Sequence, residues 1–170
     1  SSSKKYKECC APFHEGKIPA TAEELMRSRF SAYAQNKPDY LIKTTHPASP
    51  YFADNRLMWK KKLSDFSKFT HFEKLEVLKS EEEDPFGVVV FVAHLSSEGE
   101  DKTFTEKSYF EKLKGRWFYS RGERHMGRNP ALCENLDLNL LPLAYLGQQV
   151  LIKKAEPIPE ITDAIRTLVK

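Results

Sequence analysis

Three cysteines and seven glycines in 170 residues are too few for a disulfide scaffold or a glycine-periodic fibre. Cys9, Cys10 and Cys133 cannot all pair with one another, and adjacent cysteines rarely bridge. Such usage suits a reducing compartment, the cytoplasm or the interior of an organelle such as the plastid, or a thiolate metal site. No stretch of about 18 uncharged apolar residues is present, which leaves no helical membrane span. The opening residues are polar and lysine-rich, without the apolar segment of a secretory signal. Charge of one sign is also scarce: 27 Lys and Arg against 24 Asp and Glu leave +3. Basic residues gather at Lys4, Lys5 and Lys7, at Lys60 to Lys62, and at Arg116, Arg121, Arg124 and Arg128. Each group has acidic neighbours and reads as a solvated face, so direct nucleic-acid binding has little support. No repeat of solenoid length occurs.

What remains is the composition of one globular domain, 40% hydrophobic and 12% aromatic. A chain of about 150 residues buries roughly 70% of its unfolded surface, enough for a core without staples. Residues 1–20 are polar and broken by Pro12, Gly16 and Pro19, and they read as a small irregular arm. Thr21 with Glu24 forms a capping box, followed at helical spacing by Leu25, Met26, Arg29, Phe30 and Tyr33, which predicts a helix to about Asn36. Pro38 suits the first turn of a second helix ending at His46-Pro47, and a third covers about 55–66.

From residue 70 the period becomes that of strands. Phe72, Leu75 and Val77 form one, the acidic stretch Glu81 to Asp84 a loop, and the apolar run Val88 to Ala93 a central strand. Strands at about 103–113 and 116–120 flank the Lys114-Gly115 connection, typical of a hairpin, with Trp117 and Tyr119 on one face. Helices followed by hairpin-linked strands indicate an α+β domain whose antiparallel sheet wraps over packed helices. The leucines from Leu136 to Leu143 are too apolar for a linker and are expected to pack back on the domain. A last helix is expected at about 160–169.

Two resemblances add to this. The opening SSSKKYKECC resembles the second half of the SEC-C zinc motif, with Cys9 and Cys10 matching its last pair. Zinc takes four soft ligands in a tetrahedron, and lysines offset the thiolate charge. Two thiolates alone cannot close such a site. The segments PATAEELMRSRFSAYA, DYLIKTTHP, VVVFVAHL and EKSYFEKLKGRWFYSRGE, with the trailing GRNP, resemble the YchJ-like family. That resemblance implies a nuclear-transport-factor-2-like (NTF2-like) domain over residues 19–128, a cone of N-terminal helices packed in a curved antiparallel sheet. The SEC-C match makes residues 1–18 a partial zinc-motif arm, and residues 129–170 are left as a C-terminal extension packing back or forming an interface. The family resemblance brings no established activity, and it marks Arg29, Phe30 and Tyr33 as structural parts of the first helix. Arg27 and Arg29 lie two apart on different helix faces, so only one can face inward, and an inward Arg needs a carboxylate or carbonyls as partners.

The resemblance points first to a zinc-dependent interaction module. Its ligands would be Cys9 and Cys10, and Lys4, Lys5 and Lys7 would steer it to a protein or ribonucleoprotein partner. Cys133 reads as a buried thiol rather than a third ligand. An alternative is a small-ligand binder or enzyme using the cone, with His46 or His94 as acid/base and Tyr33 or Tyr119 as donor. Against it, each histidine also reads as a packed one: His46 bonds a helix end, and His94 either points into the cone or packs with one hydrogen bond. No Ser-His-Asp order, nucleotide-binding glycine loop or HExxH is present. A third reading is a structural subunit forming a homodimer or hetero-oligomer through the leucine-rich stretch from Leu136 to Leu146 and the last helix.

Overall fold

The computed structural model describes residues 5–134 and Leu136. Its elements run α1 (Tyr6–Cys9), α2 (Ala11–His14), α3 (Ala22–Ala34), α4 (Pro38–Lys43), α5 (Arg56–Phe69), β1 (His71–Glu83), β2 (Phe86–Ser97), β3 (Glu100–Asp101), β4 (Phe104–Leu113), β5 (Arg116–Met126) and a 3₁₀ turn at Pro130–Cys133. Helix α3 begins where the capping box places it: the Glu24 amide donates to Thr21 Oγ1 at 3.0 Å, and Glu24 Oε2 accepts from the Ala20 amide. Helix α5 is capped likewise, by Asn55 Oδ1 accepting from the Met58 amide at 3.1 Å.

The sheet is antiparallel in the order β1-β2-β4-β5, with β3 paired to β2. Central β2 is apolar on both faces because both are covered. Val89, Phe91, Ala93 and Leu95 face the main core beneath α3, with Leu25, Phe104, Phe110 and Trp117. On the opposite face, Val88 and Val90 pack with Tyr109 under Leu132, Cys133 and Leu136. The chain after β5 therefore returns to the domain as far as Leu136, and the expected last helix and the other leucines of the tail lie outside the described residues. Register shifts in β1 and at Tyr109/Phe110 are bulges that add twist and curve the sheet around the helices. At the β4–β5 hairpin, Lys114 and Gly115 both have positive φ, the conformation of a two-residue hairpin turn.

Three expectations change. The acidic stretch is not a loop: β1 continues through Glu83, because Glu82 Oε1 accepts from the Ala22 amide at 2.6 Å. That places a carboxylate at the positive end of α3, where it is stabilising. Strand β5 runs six residues beyond Ser120, its charged side chains being held by ladder partners on β4. The first twenty residues are not irregular throughout. They carry two one-turn helices, and Phe13 enters the main core.

Candidate functional site

The concave side of the sheet carries a polar cluster inside the cone. Strand alternation sends Phe104, Glu106, Ser108 and Phe110 to this face, and Glu106 is only 5% exposed. Its carboxylate is fully engaged. Oε2 accepts from Arg124 Nε at 3.1 Å and Nη2 at 2.9 Å, and Oε1 accepts from Ser108 Oγ at 2.6 Å and Tyr119 Oη at 3.3 Å. Position 122 is glycine for a local reason. A Cβ there would overlap Glu106 Oε1 and lie 2.9 Å from the Tyr119 hydroxyl.

Arg29 enters from α3. Its Nη1 donates to the Leu41 carbonyl at 2.9 Å and to the hydroxyls of Thr44 at 2.7 Å and Thr45 at 3.3 Å. The guanidinium lies 4.6 Å from the centre of the Tyr119 ring. The inward arginine thus finds a carbonyl, two hydroxyls and a ring face. Tyr119 is also fastened by its backbone, which exchanges hydrogen bonds with Thr44 and His46. Burial, reinforced by the negative Glu106, raises its hydroxyl well above the usual tyrosine pKa. Arg124 sits at the mouth: its side chain keeps 45% of its exposure, and its guanidinium stacks 3.8 Å from the Phe104 ring centre. Burial works against the Arg124 charge, yet Glu106 holds its pKa above the usual value.

The sequence-selected residues divide between the two faces. Tyr119 lies in the cone, and Tyr33 packs against the rings of Phe66 and Phe72 beside the main core. His94 does not point into the cone. It shares the outer face with Val88 and Val90, with Nε2 3.6 Å from Glu76 Oε2, while Arg128 holds the other Glu76 oxygen at 3.0 Å. His46 turns to the outer side of β5. Its Nδ1 accepts from the Ala48 amide at 3.0 Å, which leaves the proton on Nε2, 3.4 Å from Glu111 Oε2. Neither histidine joins Glu106 and Tyr119. The residues that sequence reasoning passed over are Glu106, Ser108, Tyr51 and Gly122. Tyr51 stacks on Tyr119 with ring centres 6.1 Å apart.

The amino-terminal tip is a second cluster. Cys9 and Cys10 hold their Sγ atoms 3.5 Å apart, and no disulfide joins any described cysteine. Cys10 is buried, which is the main cause raising its thiol pKa, so a bound metal must displace a proton there. His14 fastens the tip to the body: its Nε2 donates to the Ser28 carbonyl at 2.8 Å, and its Nδ1 accepts from the Tyr6 hydroxyl at 2.8 Å. Both nitrogens are committed, so His14 is not a metal ligand. Lys5 and Lys7 are exposed on the same tip, and Lys4 lies outside the described residues.

These residues fit half of a zinc centre. Among the described residues no group of three or more His, Cys, Asp and Glu side chains is arranged to hold a metal ion. Cys133 is half-buried on the outer sheet face, away from the pair. The residues outside the described ones contain neither cysteine nor histidine. A closed site therefore needs two soft ligands from another polypeptide segment.

Burial holds the pKa of His14 and of His46 below the usual histidine value, with Glu111 opposing the shift at His46. The unfolded chain then binds more protons near pH 6, so this contribution to stability is complete above about pH 6.5 and is lost as the pH falls through the folded values. Urea denaturation between pH 7 and pH 5 is expected to show falling stability, with a shallower slope in His46→Gln. An identical slope would contradict the assignment.

Residues 21–122 match the family model described as YchJ, middle NTF2-like domain. The chain belongs to the YchJ family. A UPF0225 protein of Actinobacillus succinogenes is 35% identical over 133 residues, covering 75% of this chain and 83% of that protein. A UPF0225 protein of Sodalis glossinidius is 36% identical over 141 residues, covering 78% and 88%. Among solved structures, a SEC-C motif containing protein from Rhodopseudomonas palustris has a TM-score of 0.62 at 34% identity, covering 72% of this chain and 94% of that one. Another, from Psychrobacter arcticus, has a TM-score of 0.60 at 30% identity, covering 76% and 77%. The YchJ match spans the cone as far as Gly122, so it includes Arg29, Glu106 and Tyr119 and leaves Cys9 and Cys10 outside. The NTF2-like fold of helices in an antiparallel sheet agrees with the layers described above. Among the described residues no helix is long and apolar enough to cross a membrane.

Proposed function

We propose that this YchJ chain is an interaction module. In this reading Cys9 and Cys10 supply two of the four ligands of a zinc centre, whose rigid tip presents Lys5 and Lys7 to an acidic partner surface on a protein or ribonucleoprotein. The observation that carries the reading is the thiol pair, with sulfurs 3.5 Å apart on a helix pair clamped through His14 and Phe13. Sulfurs bound about 2.3 Å from one tetrahedral ion stand at nearly that separation. Both structural relatives are SEC-C motif containing proteins, which supports it further. Thiol ligands need a reducing compartment, which the cytoplasm or an organelle interior provides.

The experiment is binding to a poly-glutamate peptide in the presence of zinc. The double variant Lys5→Glu with Lys7→Glu is expected to bind about fivefold to tenfold more weakly, and added salt to weaken the parent. Equal affinity of parent and variant would contradict the reading.

A second reading, a small ligand in the cone, is favoured by Arg124, which keeps 45% exposure at the mouth while only its Nε and Nη2 engage Glu106. Its remaining N–H groups suit an acidic ligand. Glu106 is a poor general base in this arrangement, because four donors already occupy its oxygens.

A further inference from the structure

Between the tip and the domain lies a cleft of about 160 Å³ that belongs neither to the thiol pair nor to the cone. Its walls include Phe13, Tyr40 and Trp117, all buried, and its rim carries Lys17, Lys43 and Arg116, all exposed. None of the eleven lining residues is acidic. Among the described residues none of the three cations lies within salt-bridge distance of a carboxylate, although most other basic groups near the sheet are paired. Lys17 instead stands 4.9 Å over the Phe13 ring. The walls are fixed independently: Trp117 Nε1 donates to the Ala20 carbonyl at 3.2 Å, and Tyr40 shares a 2.7 Å hydrogen bond with Ser28. The cleft is thus formed before any ligand arrives.

Three unpaired cations on the rim of a cleft with aromatic walls suit an anion that also carries a flat ring. The volume is below the roughly 300 Å³ of a drug-sized site, so the cleft encloses only part of a ligand and leaves the rest in solvent. The geometry points to a binding site for a nucleoside monophosphate, or a small aromatic phosphate of the same kind. The phosphoryl group lies between Lys17, Lys43 and Arg116, and the ring lies against the aromatic wall. Because the wall comes from α2, α4 and the β4–β5 hairpin together, a bound ligand ties the amino-terminal helix pair to the sheet.

The test titrates the full chain with adenosine monophosphate, following amide chemical shifts, with adenosine and inorganic phosphate as separate arms. Saturable binding of the monophosphate at one per chain is expected, with adenosine and phosphate each at least about tenfold weaker. Arg116→Ala and Lys43→Ala are each expected to weaken it about tenfold, the loss of one charge-assisted contact. Both residues are exposed, so the variants keep the fold, and an unchanged amide spectrum elsewhere verifies this. Lys5→Glu with Lys7→Glu leaves the affinity unchanged if the cleft is the site. No saturable binding at millimolar monophosphate, equal binding of adenosine, or equal affinity of the Arg116 and Lys43 variants would overturn the assignment. Displacement of the monophosphate by a poly-glutamate peptide of equal concentration would overturn it as well, since the cleft would then read charge without the ring.

Discussion

Replacing Glu106 with alanine is expected to lower the unfolding free energy by about 3 kcal/mol, the range for breaking a buried charged hydrogen-bond set. Four donors converge on this carboxylate, and two of them come from one guanidinium. The substitution strands Ser108 and Tyr119 in the buried interior and leaves Arg124 beside Phe104 without its counter-charge. Arg124 keeps partial access to water, which spares the protein the full penalty of an isolated buried cation. Glu106→Gln retains one oxygen for Ser108 and Tyr119 and is expected to cost about half as much. For a domain of this size the alanine loss corresponds to roughly 6 to 12 °C in thermal midpoint. Thermal denaturation of the two variants checks the order, and an alanine variant as stable as the parent would show that the cluster does not organise the cone.

Arg29→Ala is expected to cost about 3 kcal/mol by a different route. The side chain is 8% exposed, and its removal leaves a large void between α3, α4 and Tyr119. Little hydrogen bonding is stranded, because the Thr44 hydroxyl also donates to the Tyr40 carbonyl at 2.7 Å and the Thr45 hydroxyl to the Leu41 carbonyl at 2.7 Å. Packing therefore outweighs charge at this position. Arg29→Met, which restores volume without the guanidinium, is expected to lose less than about 1.5 kcal/mol. If Met proved as costly as Ala in urea titrations, the charge and its stacking on Tyr119 would be the dominant contribution.

Much of the scaffold could be read from residues alone because local signals agreed with the tertiary structure. The Thr21–Glu24 box, Pro38 at a first turn, the Val88–Ala93 run and the Lys114-Gly115 connection each specify backbone geometry with a local cause. The interior site was less accessible for an equally physical reason. In FTEKSYFEKL both Glu106 and Lys107 are buried, on opposite faces, so hydrophobic periodicity gives no parity for β4. Only the register Glu106↔Arg124 and Ser108↔Gly122 brings the cluster together. His94 was equally hard to orient, since it follows a run that is apolar on both faces of a central strand. The acidic end of β1 reads as a loop until Glu82 is seen capping α3, a contact sixty residues away in the chain.

The amino-terminal pair is the feature on which the proposed function turns, and cobalt(II) reports on it directly because thiolate ligation gives an intense charge-transfer absorption. Titration of the chain with excess cobalt under reducing conditions is predicted to develop the band of a two-thiolate site, with solvent completing the coordination that this chain's residues leave open. Cys133→Ser should leave it intact, and either Cys9→Ser or Cys10→Ser should abolish most of it. A band that survives the paired Cys9→Ser and Cys10→Ser substitutions, or one that never appears in the parent chain, would contradict a metal-holding tip.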